Sequence, residues 1–586
     1  MRWPRDVLPA IRRALVPGAS RRLVAQAIGV GFFSGLAAAL LIWLINIMNR
    51  LFGIDGADAN PAPWIFLVPA IGGLIVGPLV TWLAPETRGH GVPEVMLAVA
   101  QRGGDIRPRV AILKTLASAI TIGSGGSAGR EGPIVQIGAA LGSTVAHLTR
   151  EPVDLRRTLV ACGAASGIAA SFNAPIAGVI FALEVILRDF AGRAFAMVVM
   201  SSVTASVVAR SLVGSASFFR IPPYHLGHGV EIVFYALLGM IAAVVARLFI
   251  LALYFTEDMV DRTPLPTWLK PAAGGLAVGM LGFLLPEILG VGHFTMEQAL
   301  AGQLSGIALA VLLIGKIVAT SLTLGSGGSG GVFAPSLFMG AMLGGAFARA
   351  VGLIAPGIGL SPGAFAVVGM GALFTGASFA PMTSILIIIE MTHDYDLILP
   401  LMAACGTAML VSYWVSPESI YTLKLSRRGI ALRQKAEPME AVRVEQVMTA
   451  PPDLVAQTTP FSQLVEFIRN SPHSGFPVVD ADGALVGLIT SEEMHQAFAA
   501  GDNVPAAIAA DLMRRFPPVV GLDETLATAV RLMRHHGVDR IPVVDAGDRR
   551  RVIGVVSQSD VIQAVGIEIG CPAETADVPK EGTPSD

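Results

Sequence analysis

Charged residues are scarce in this sequence. Asp, Glu, Lys and Arg make up 14% of its 586 residues, whereas hydrophobic residues make up 53%, and the mean hydropathy is +0.65. That composition is too apolar for a soluble multidomain protein and is typical of a membrane protein. The formal net charge of -2 provides no basic face, so we expect no nucleic-acid partner.

Cysteine is equally scarce. Cys162, Cys405 and Cys571 are odd in number and far apart. They provide neither a disulfide framework nor the ligand spacing of a metal site. We therefore expect no bound metal and no required cofactor.

Long apolar segments are abundant. A helix that spans a bilayer needs about 20 mostly apolar residues, and residues 23–48, 64–84 and 233–254 satisfy that requirement. More apolar runs follow between residues 307 and 415. Residues 1–22 are rich in arginine and lack a compact apolar core with a cleavage site, so we expect them to stay in the cytoplasm rather than act as a signal peptide.

The chain changes character after Tyr421, where the apolar runs stop and basic residues become frequent. This pattern is expected where a chain leaves the membrane on the cytoplasmic side. Two similar units follow, at residues 444–500 and 508–566, and each has the pattern of a helix, a short strand, a turn and another strand. The polar tail, residues 571–586, is predicted to be disordered.

Two nearly identical glycine phrases lie in the apolar region: GSGGSAGREGP, which ends at Pro133, and GSGGSGGVFAP, which ends at Pro335. Downstream of them, NAPIAGVIFALE, which ends at Glu184, is echoed by FAPMTSILIIIE, which ends at Glu390. The region from residue 23 to 425 therefore consists of two related halves. Internal repeats with interrupted helices indicate a binding site near the middle of the membrane.

Each glycine phrase is expected to start a helix. Proline suits the first turn of a helix, where its missing N–H is not needed, and irregular backbone is tolerated at this depth only where it lines a cavity. The free N–H groups at such a start attract an anion. A third phrase, GHGVPEVMLAVA from Gly89, starts another helix. Helix starts without a committed cation would bind an anion weakly enough to release it.

These motifs resemble the signatures of the CLC family of chloride channels and transporters. In family order, Gly89–Pro93, Gly129–Pro133 and Gly331–Pro335 are similar to the first three signatures, and SIYTLKLSRRG supplies the expected tyrosine. The resemblance implies a polytopic α-helical membrane protein with two inverted half-repeats. It also implies a homodimer in membrane lipid, without enzymatic activity, in which each subunit has its own anion pathway. We expect a voltage-gated, chloride-conducting protein of the plasma membrane.

The resemblance also implies the site residues. The backbone N–H groups of Val332 and Phe333 and the hydroxyl of Tyr421 would hold the anion, and Glu131 would be the gate. A carboxylate at a helix start can occupy the place of an anion when ionised and leave it when protonated. Arg130 is expected to be structural and to pair with Glu94.

Two positions depart from the family pattern. His90 stands where chloride-selective members carry serine. Its imidazole can donate to an anion and charges near a pH of about 6.5, or it turns aside to a backbone carbonyl; both interpretations stay open. Val185 follows Glu184 where proton-coupled members commonly carry glutamate, which favours a channel over a proton-coupled chloride antiporter without excluding the antiporter.

The two C-terminal units resemble CBS domains, which form a soluble α/β tandem and can sense adenosine nucleotides. The resemblance rests on GFPVVD with GLITSEE and on RIPVVD with GVVSQSD. In nucleotide-binding members, a final Ser or Thr and an Asp hold the ribose. Ser557 and Asp560 match that pattern, whereas Thr490 is followed by Glu493. Binding of AMP, ADP or ATP and a purely structural pair are both open.

An intramembrane serine protease is a remote alternative, because Ser127 and Ser329 lie in G-x-S-x-G sequences. The histidines available to such a protease are His147, His293 and His393. Serines that cap helix starts explain the duplication better.

A CBS-regulated cation transporter is a second remote alternative. Cation sites need converging carboxylates or carbonyls, and Glu184 and Glu390 are acids within the membrane region. We expect instead that they anchor helix ends in both repeats.

Overall fold

The structure is a computed structural model. It describes residues 17–54, 64–190, 192–214, 224, 229–354, 359–430, 442–471, 473, 475–499, 507–545, 547–548 and 550–568. Most of the predicted N-terminal segment 1–22 and the whole predicted tail 571–586 lie outside the described residues. The chain divides into two compact units, Met1–Leu432 and Arg433–Asp586. The finer domain boundaries given above stay predictions.

The first unit is built of helices. They are α1 (Pro17–Phe52), α2 (Val68–Pro78), α3 (Val92–Gln101), α4 (Arg109–Gly123), α5 (Glu131–Leu148), α6 (Val153–Phe172), α7 (Pro175–Phe181), α8 (Gly192–Val213), α9 (Glu231–Asp261), α10 (Lys270–Leu284), α11 (His293–Leu300), α12 (Gly306–Gly325), α13 (Phe333–Ile354), α14 (Pro362–Ser378), α15 (Pro381–Thr392), α16 (Ile398–Val415) and α17 (Thr422–Ser426). A π-helical segment, Ala182–Leu187, continues α7.

Several of these helices can cross a bilayer. Among the described residues, 7 stretches are long and apolar enough to do so. They are Arg22–Phe52, Ile65–Leu83, Ala194–Val213, Glu231–Asp261, Gly306–Gly325, Phe333–Ile354 and Tyr395–Val415. Large apolar side chains such as Trp43 and Phe255 are exposed on this unit, as expected of a surface that faces lipid.

The glycine phrases start helices, as predicted. The helix α5 begins at Glu131 and α13 begins at Phe333, and a proline is the third residue of each. The helix α3 begins at Val92, with Pro93 as its second residue. The preceding residue, Gly91, has a φ of 65°, a conformation that glycine adopts without strain.

The two halves hold each other through matched hydrogen bonds. The backbone N–H of Ser127 donates to Thr323 Oγ1 at 3.0 Å, and that of Ser329 donates to Thr121 Oγ1 at 3.2 Å. The expectation that these serines cap helix starts is wrong, because the Ser127 hydroxyl bonds to Thr320 Oγ1 and the Ser329 hydroxyl donates to the carbonyl of Thr87. They lie in the loops before α5 and α13 and pair across the repeat, because tight loops bring the two phrases together.

Glu184 and Glu390 anchor helix ends reciprocally, as predicted. The carboxylate of Glu184 accepts from the N–H groups of Met382 and Thr383 at the start of α15, at 3.2 and 2.9 Å, and from the Thr383 hydroxyl at 2.7 Å. The carboxylate of Glu390, near the end of α15, accepts from the first N–H groups of α7 at 3.0 and 2.7 Å. Both acids satisfy helix-start donors, so neither resembles a cation site.

The sequence interpretation missed a pair of buried lysines. Lys114 Nζ donates to the carbonyls of Thr87 and Gly89 at 2.9 and 2.7 Å. Lys316 Nζ does the same in the second half, donating at 2.9 and 2.8 Å to the carbonyls of Ile288 and Gly290. Each lysine thus fixes the loop that precedes a short helix, α3 or α11.

The second unit, Arg433–Asp586, contains two similar α/β repeats, the first and the second CBS-like unit. Its elements are β1 (Val455–Ala456), α18 (Phe461–Asn470), β2 (Gly475–Val479), β3 (Leu485–Thr490), α19 (Ser491–Ala499), α20 (Ala509–Leu512), β4 (Arg514–Arg515), β5 (Val520–Gly521), α21 (Leu526–His536), β6 (Arg540–Val544), β7 (Val552–Ser557) and α22 (Gln558–Glu568). The sheets have the orders β1-β2-β3-β4 and β5-β6-β7. In each, a parallel pair precedes an antiparallel hairpin.

The predicted helix, strand, turn and strand occur in both CBS-like units as α18-β2-β3 and α21-β6-β7. The strands β1 and β5 were not predicted, because each has only two residues. Separate apolar cores form around Phe476 in the first CBS-like unit and around Ile541 in the second CBS-like unit. The repeat in the sequence is therefore a repeat in the structure.

Candidate anion site

The starts of α3, α5 and α13 meet around one small, buried cavity. The residues that line it are His90, Val92, Glu131, Gly132, Val135, Ile168, Phe181, Val332, Phe333 and Tyr421. All five residues that sequence reasoning assigned to the anion pathway are in that set. Segments that are far apart in the chain converge here because the glycine phrases pair with each other, through Gly129 N to Gly331 O at 2.8 Å and the reciprocal bond at 2.6 Å.

Glu131 lies at the start of both interrupted helices. It is the first residue of α5, it is 1% exposed, and its Oε2 accepts from the backbone N–H of Ala334, the second residue of α13, at 3.3 Å. Gly129 makes room for it, since a Cβ there would lie 2.3 Å from Glu131 Oε2. The carboxylate thus occupies a place in which an anion could accept the same backbone donor.

Backbone donors remain available beside the carboxylate. The N–H groups of Val332 and Phe333 have no acceptor among the described residues, as expected where a helix begins. The Phe333 ring packs against Phe374 and Phe172, with centroids 3.9 and 5.0 Å apart. This aromatic cluster holds the start of α13 in place, and the buried Tyr421 lines the same cavity.

His90 is buried at the cavity, with 2% of its surface exposed. Its Nε2 lies 3.4 Å from the Tyr254 hydroxyl, which in turn donates to the carbonyl of Ile420 at 2.6 Å. The interpretation in which a backbone carbonyl satisfies the histidine is therefore wrong, because a tyrosine from α9 takes that position. No pattern in the apolar sequence of α9 singled out Tyr254.

Arg130 does not pair with Glu94, which corrects the prediction. Arg130 Nη2 donates to the carbonyl of Ser171 at 3.3 Å, and its Nε lies 3.9 Å from Glu131 Oε1. Glu94 instead pairs with Arg428, just after α17. The ion pair joins α3 to the segment that carries Tyr421, an approach of distant segments that local sequence does not reveal.

The second CBS-like unit brings Ser557 and Asp560 together. The N–H and hydroxyl of Ser557 donate to Asp560 Oδ2 at 2.8 and 2.7 Å. Both residues line a cavity with Arg540, His473 and Asp453. Thr490 is not among the residues that line this cavity; its N–H and hydroxyl donate to Glu493.

Comparison with known proteins agrees with this architecture. The family model described as voltage gated chloride channel matches residues 72–413, and the CBS domain model matches residues 444–500 and 509–567. An H(+)/Cl(-) exchange transporter ClcA of Salmonella agona is 35% identical over 68% of this chain and 87% of its own.

Two other comparisons extend the likeness. The chloride channel protein CLC-f of Arabidopsis thaliana is 29% identical over 85% of this chain and 73% of its own. A solved structure of a slow cyanobacterial Cl-/H+ antiporter superposes with a TM-score of 0.64 and 28% identity, over 70% of this chain and 98% of that chain. The chain therefore belongs to the CLC family of anion-transporting membrane proteins and carries a C-terminal pair of CBS domains.

Proposed function

We propose that this protein conducts chloride through a CLC pathway in which Glu131 is the gate. The observation that carries the proposal is the Glu131 carboxylate on the N–H of Ala334. When ionised it competes with an anion for that donor, and when protonated it loses the charge that holds it there. Val332, Phe333, Tyr421 and His90 are the proposed anion ligands around the same cavity.

Channel-like conduction is favoured by the region around Val185. Valine cannot carry a proton, and its side chain is buried. The neighbouring acid, Glu184, is committed to the start of α15 through its three hydrogen bonds. An acidic relay to Glu131 through these two positions is therefore not available, which supports anion flux with little stoichiometric proton movement.

Proton-coupled exchange of the same anion is the second candidate. It is favoured by the exchange transporter and the antiporter to which this chain is similar. The purified protein in liposomes under a chloride gradient tests the two candidates. Channel-like conduction predicts a reversal potential near the chloride equilibrium value that ignores an imposed pH gradient. A reversal potential displaced by the pH gradient in a fixed ratio would establish the exchanger instead.

We further propose that the protein is a homodimer in the plasma membrane, with its N-terminus and CBS pair in the cytoplasm, and that voltage acts on the charged gate. Adenine nucleotides would bind the second CBS unit. The N–H and the hydroxyl of Ser557 both donate to Oδ2 of Asp560, and Oδ1 would accept from a ribose hydroxyl.

A further inference from the structure

The cavity contains a second titratable side chain besides Glu131. His90 and Glu131 both line it, and both are almost completely buried. Each also has a buried side-chain atom without a hydrogen-bond partner among the described residues, namely His90 Nδ1 and Glu131 Oε1. Buried polar atoms are normally paired, so these two atoms in one small cavity call for a functional explanation.

Tyr254 determines which nitrogen of His90 carries its proton. The Tyr254 hydroxyl has a single proton and donates it to the carbonyl of Ile420 at 2.6 Å. Towards His90 Nε2, 3.4 Å away, the Tyr254 oxygen can therefore only accept. Neutral His90 consequently carries its proton on Nε2, and the unpartnered Nδ1 presents a lone pair that can accept a further proton.

Burial disfavours a charged imidazole at His90 most, and the positive charges of Lys424, Lys114 and Arg428 disfavour it further. His90 is therefore neutral when no anion is present. Glu94 offsets part of this field through its ion pair with Arg428. An anion in the cavity would offset more of it, so protonation of His90 and anion binding should favour each other. The other titratable groups at or near the cavity are Glu131, Tyr421, Tyr254 and Glu257.

We propose that His90 is the proton-exchange group that serves Glu131 through the anion cavity itself. Nδ1 takes a proton from water at the His90 end, and the Nδ1–H bond then breaks as that proton passes to a Glu131 carboxylate oxygen. His90 returns to its neutral form, and the neutral carboxyl group leaves the Ala334 donor. Proton delivery thus bypasses Val185, and Tyr254 is a positioning residue that keeps Nδ1 free to accept.

This inference rests on the proposed function, because proton arrival changes the current only if Glu131 is the gate. The test is the current in inside-out membrane patches as the cytoplasmic pH is stepped from about 7.5 to values well below the free-imidazole midpoint of about 6.5. His90→Gln keeps an N–H for Tyr254 but cannot take up a proton. It should lose most of the cytoplasmic pH dependence and keep the dependence on external pH, each normalised to the maximal current of the same variant.

Two further variants separate the possible failures. Glu131→Gln should lose the dependence on external pH and keep only the cytoplasmic dependence that comes from anion binding beside His90; if its dependence on external pH persists, the gate assignment itself is wrong. Tyr254→Phe should keep the cytoplasmic pH dependence but shift its midpoint, because the tautomer is no longer fixed. Cytoplasmic pH dependence in His90→Gln equal to that of the unmodified protein would overturn the role of His90.

A binding measurement tests the proposal even if the current is too small to record. Calorimetric titration with chloride in two buffers of different ionisation enthalpy reports proton uptake on binding. Glu131→Gln should still take up a fraction of a proton per chloride, and the Glu131→Gln, His90→Gln double variant should take up none. Equal uptake by the two proteins would assign the proton to another group and refute the proposal.

Discussion

Glu131 and Phe333 occupy the same place in the two halves of the membrane region, since each is the first residue of a helix that follows a glycine phrase. In the first half that residue is a titratable acid, and in the second it is an aromatic anchor. By contrast, the residues that stabilise the loops and helix starts are of the same type in both halves. Lys114 and Lys316 donate to loop carbonyls. Glu184 and Glu390 accept from the N–H groups of helix starts.

Comparing the two halves distinguishes residues that hold the fold from residues that line the cavity. A residue type kept in both halves holds the fold, because both halves need the same loops and caps. Glu131, His90 and Tyr421, by contrast, line the candidate anion cavity. Two related halves can therefore provide one asymmetric site, with the titratable groups on one side and bare amide donors on the other.

The largest expected effect is on the proposed gate, Glu131. Glu131→Ala removes a charge-assisted hydrogen bond worth about 1.5–3 kcal/mol, which corresponds to roughly a tenfold to hundredfold change in occupancy of the donor by an anion. Chloride flux should rise and lose its pH dependence. The measurement is chloride efflux from liposomes over a series of pH values. A mutant that conducts like the unmodified protein at every pH and voltage would show that Glu131 is not the gate.

A matched pair of glycines tests whether the halves differ in function or only in sequence. Gly129→Ala puts a Cβ 2.3 Å from Glu131 Oε2, whereas Gly331→Ala puts one 2.7 Å from the backbone nitrogen of Gly132. The new Cβ of Gly129→Ala displaces a side chain, whereas the new Cβ of Gly331→Ala displaces backbone.

We expect Gly129→Ala to fold and to raise chloride flux several-fold. The new Cβ displaces the Glu131 carboxylate, so the hydrogen bond from Ala334 should lose a fraction of its energy of about 1.5–3 kcal/mol. We expect Gly331→Ala to give poorly folded protein on size-exclusion chromatography. If both variants folded and conducted alike, the functional asymmetry between the halves would be refuted.

The helix caps Glu184 and Glu390 should contribute to stability in both halves of the membrane region. Loss of a helix cap costs about 0.5–2 kcal/mol, so Glu184→Ala and Glu390→Ala should both lower the melting temperature in detergent. Glu184→Ala should have the larger effect, because Glu184 accepts three hydrogen bonds and Glu390 two. Neither should change the reversal potential. Altered proton movement in Glu184→Gln alone would instead make Glu184 a relay.

The sequence was sufficient for features that are encoded locally. The glycine phrases predicted the starts of α3, α5 and α13, and the shared spacing of Glu184 and Glu390 predicted their anchoring role. The buried lysines were missed although a signal existed: KTLASAITIG and KIVATSLTLG place Lys114 and Lys316 at the same distance before the two phrases. Extending the repeat upstream would have found them.

Other contacts could not be predicted because they depend on how distant segments approach one another. Tyr254 lies in an apolar run of α9 and meets His90 across a separation of 164 residues in the sequence. Arg428 reaches Glu94 from beyond α17. The packing of the helices determines these contacts, and neither helical periodicity nor motif spacing predicts which distant residues will meet.

The smallest expected effect concerns the two CBS units, whose local geometry is nearly the same. In each, a carboxylate accepts from the N–H and hydroxyl of the residue three positions earlier. Only the second pair, Ser557 and Asp560, lines a cavity with Arg540 and His473. Adenine nucleotides should therefore bind there, with the arginine near enough to the cavity to favour an anionic ligand.

Calorimetry on the full-length protein with AMP, ADP and ATP tests this difference. Asp560→Ala should weaken binding about tenfold, because it removes a charged acceptor worth about 1.5 kcal/mol. Glu493→Ala, the matched change in the first unit, should leave the affinity unchanged. Equal losses in both variants would mean that the two units bind alike. No heat with any of the three nucleotides would mean that the CBS pair is a structural element, since the cavity at Ser557 would then have no adenine ligand to hold.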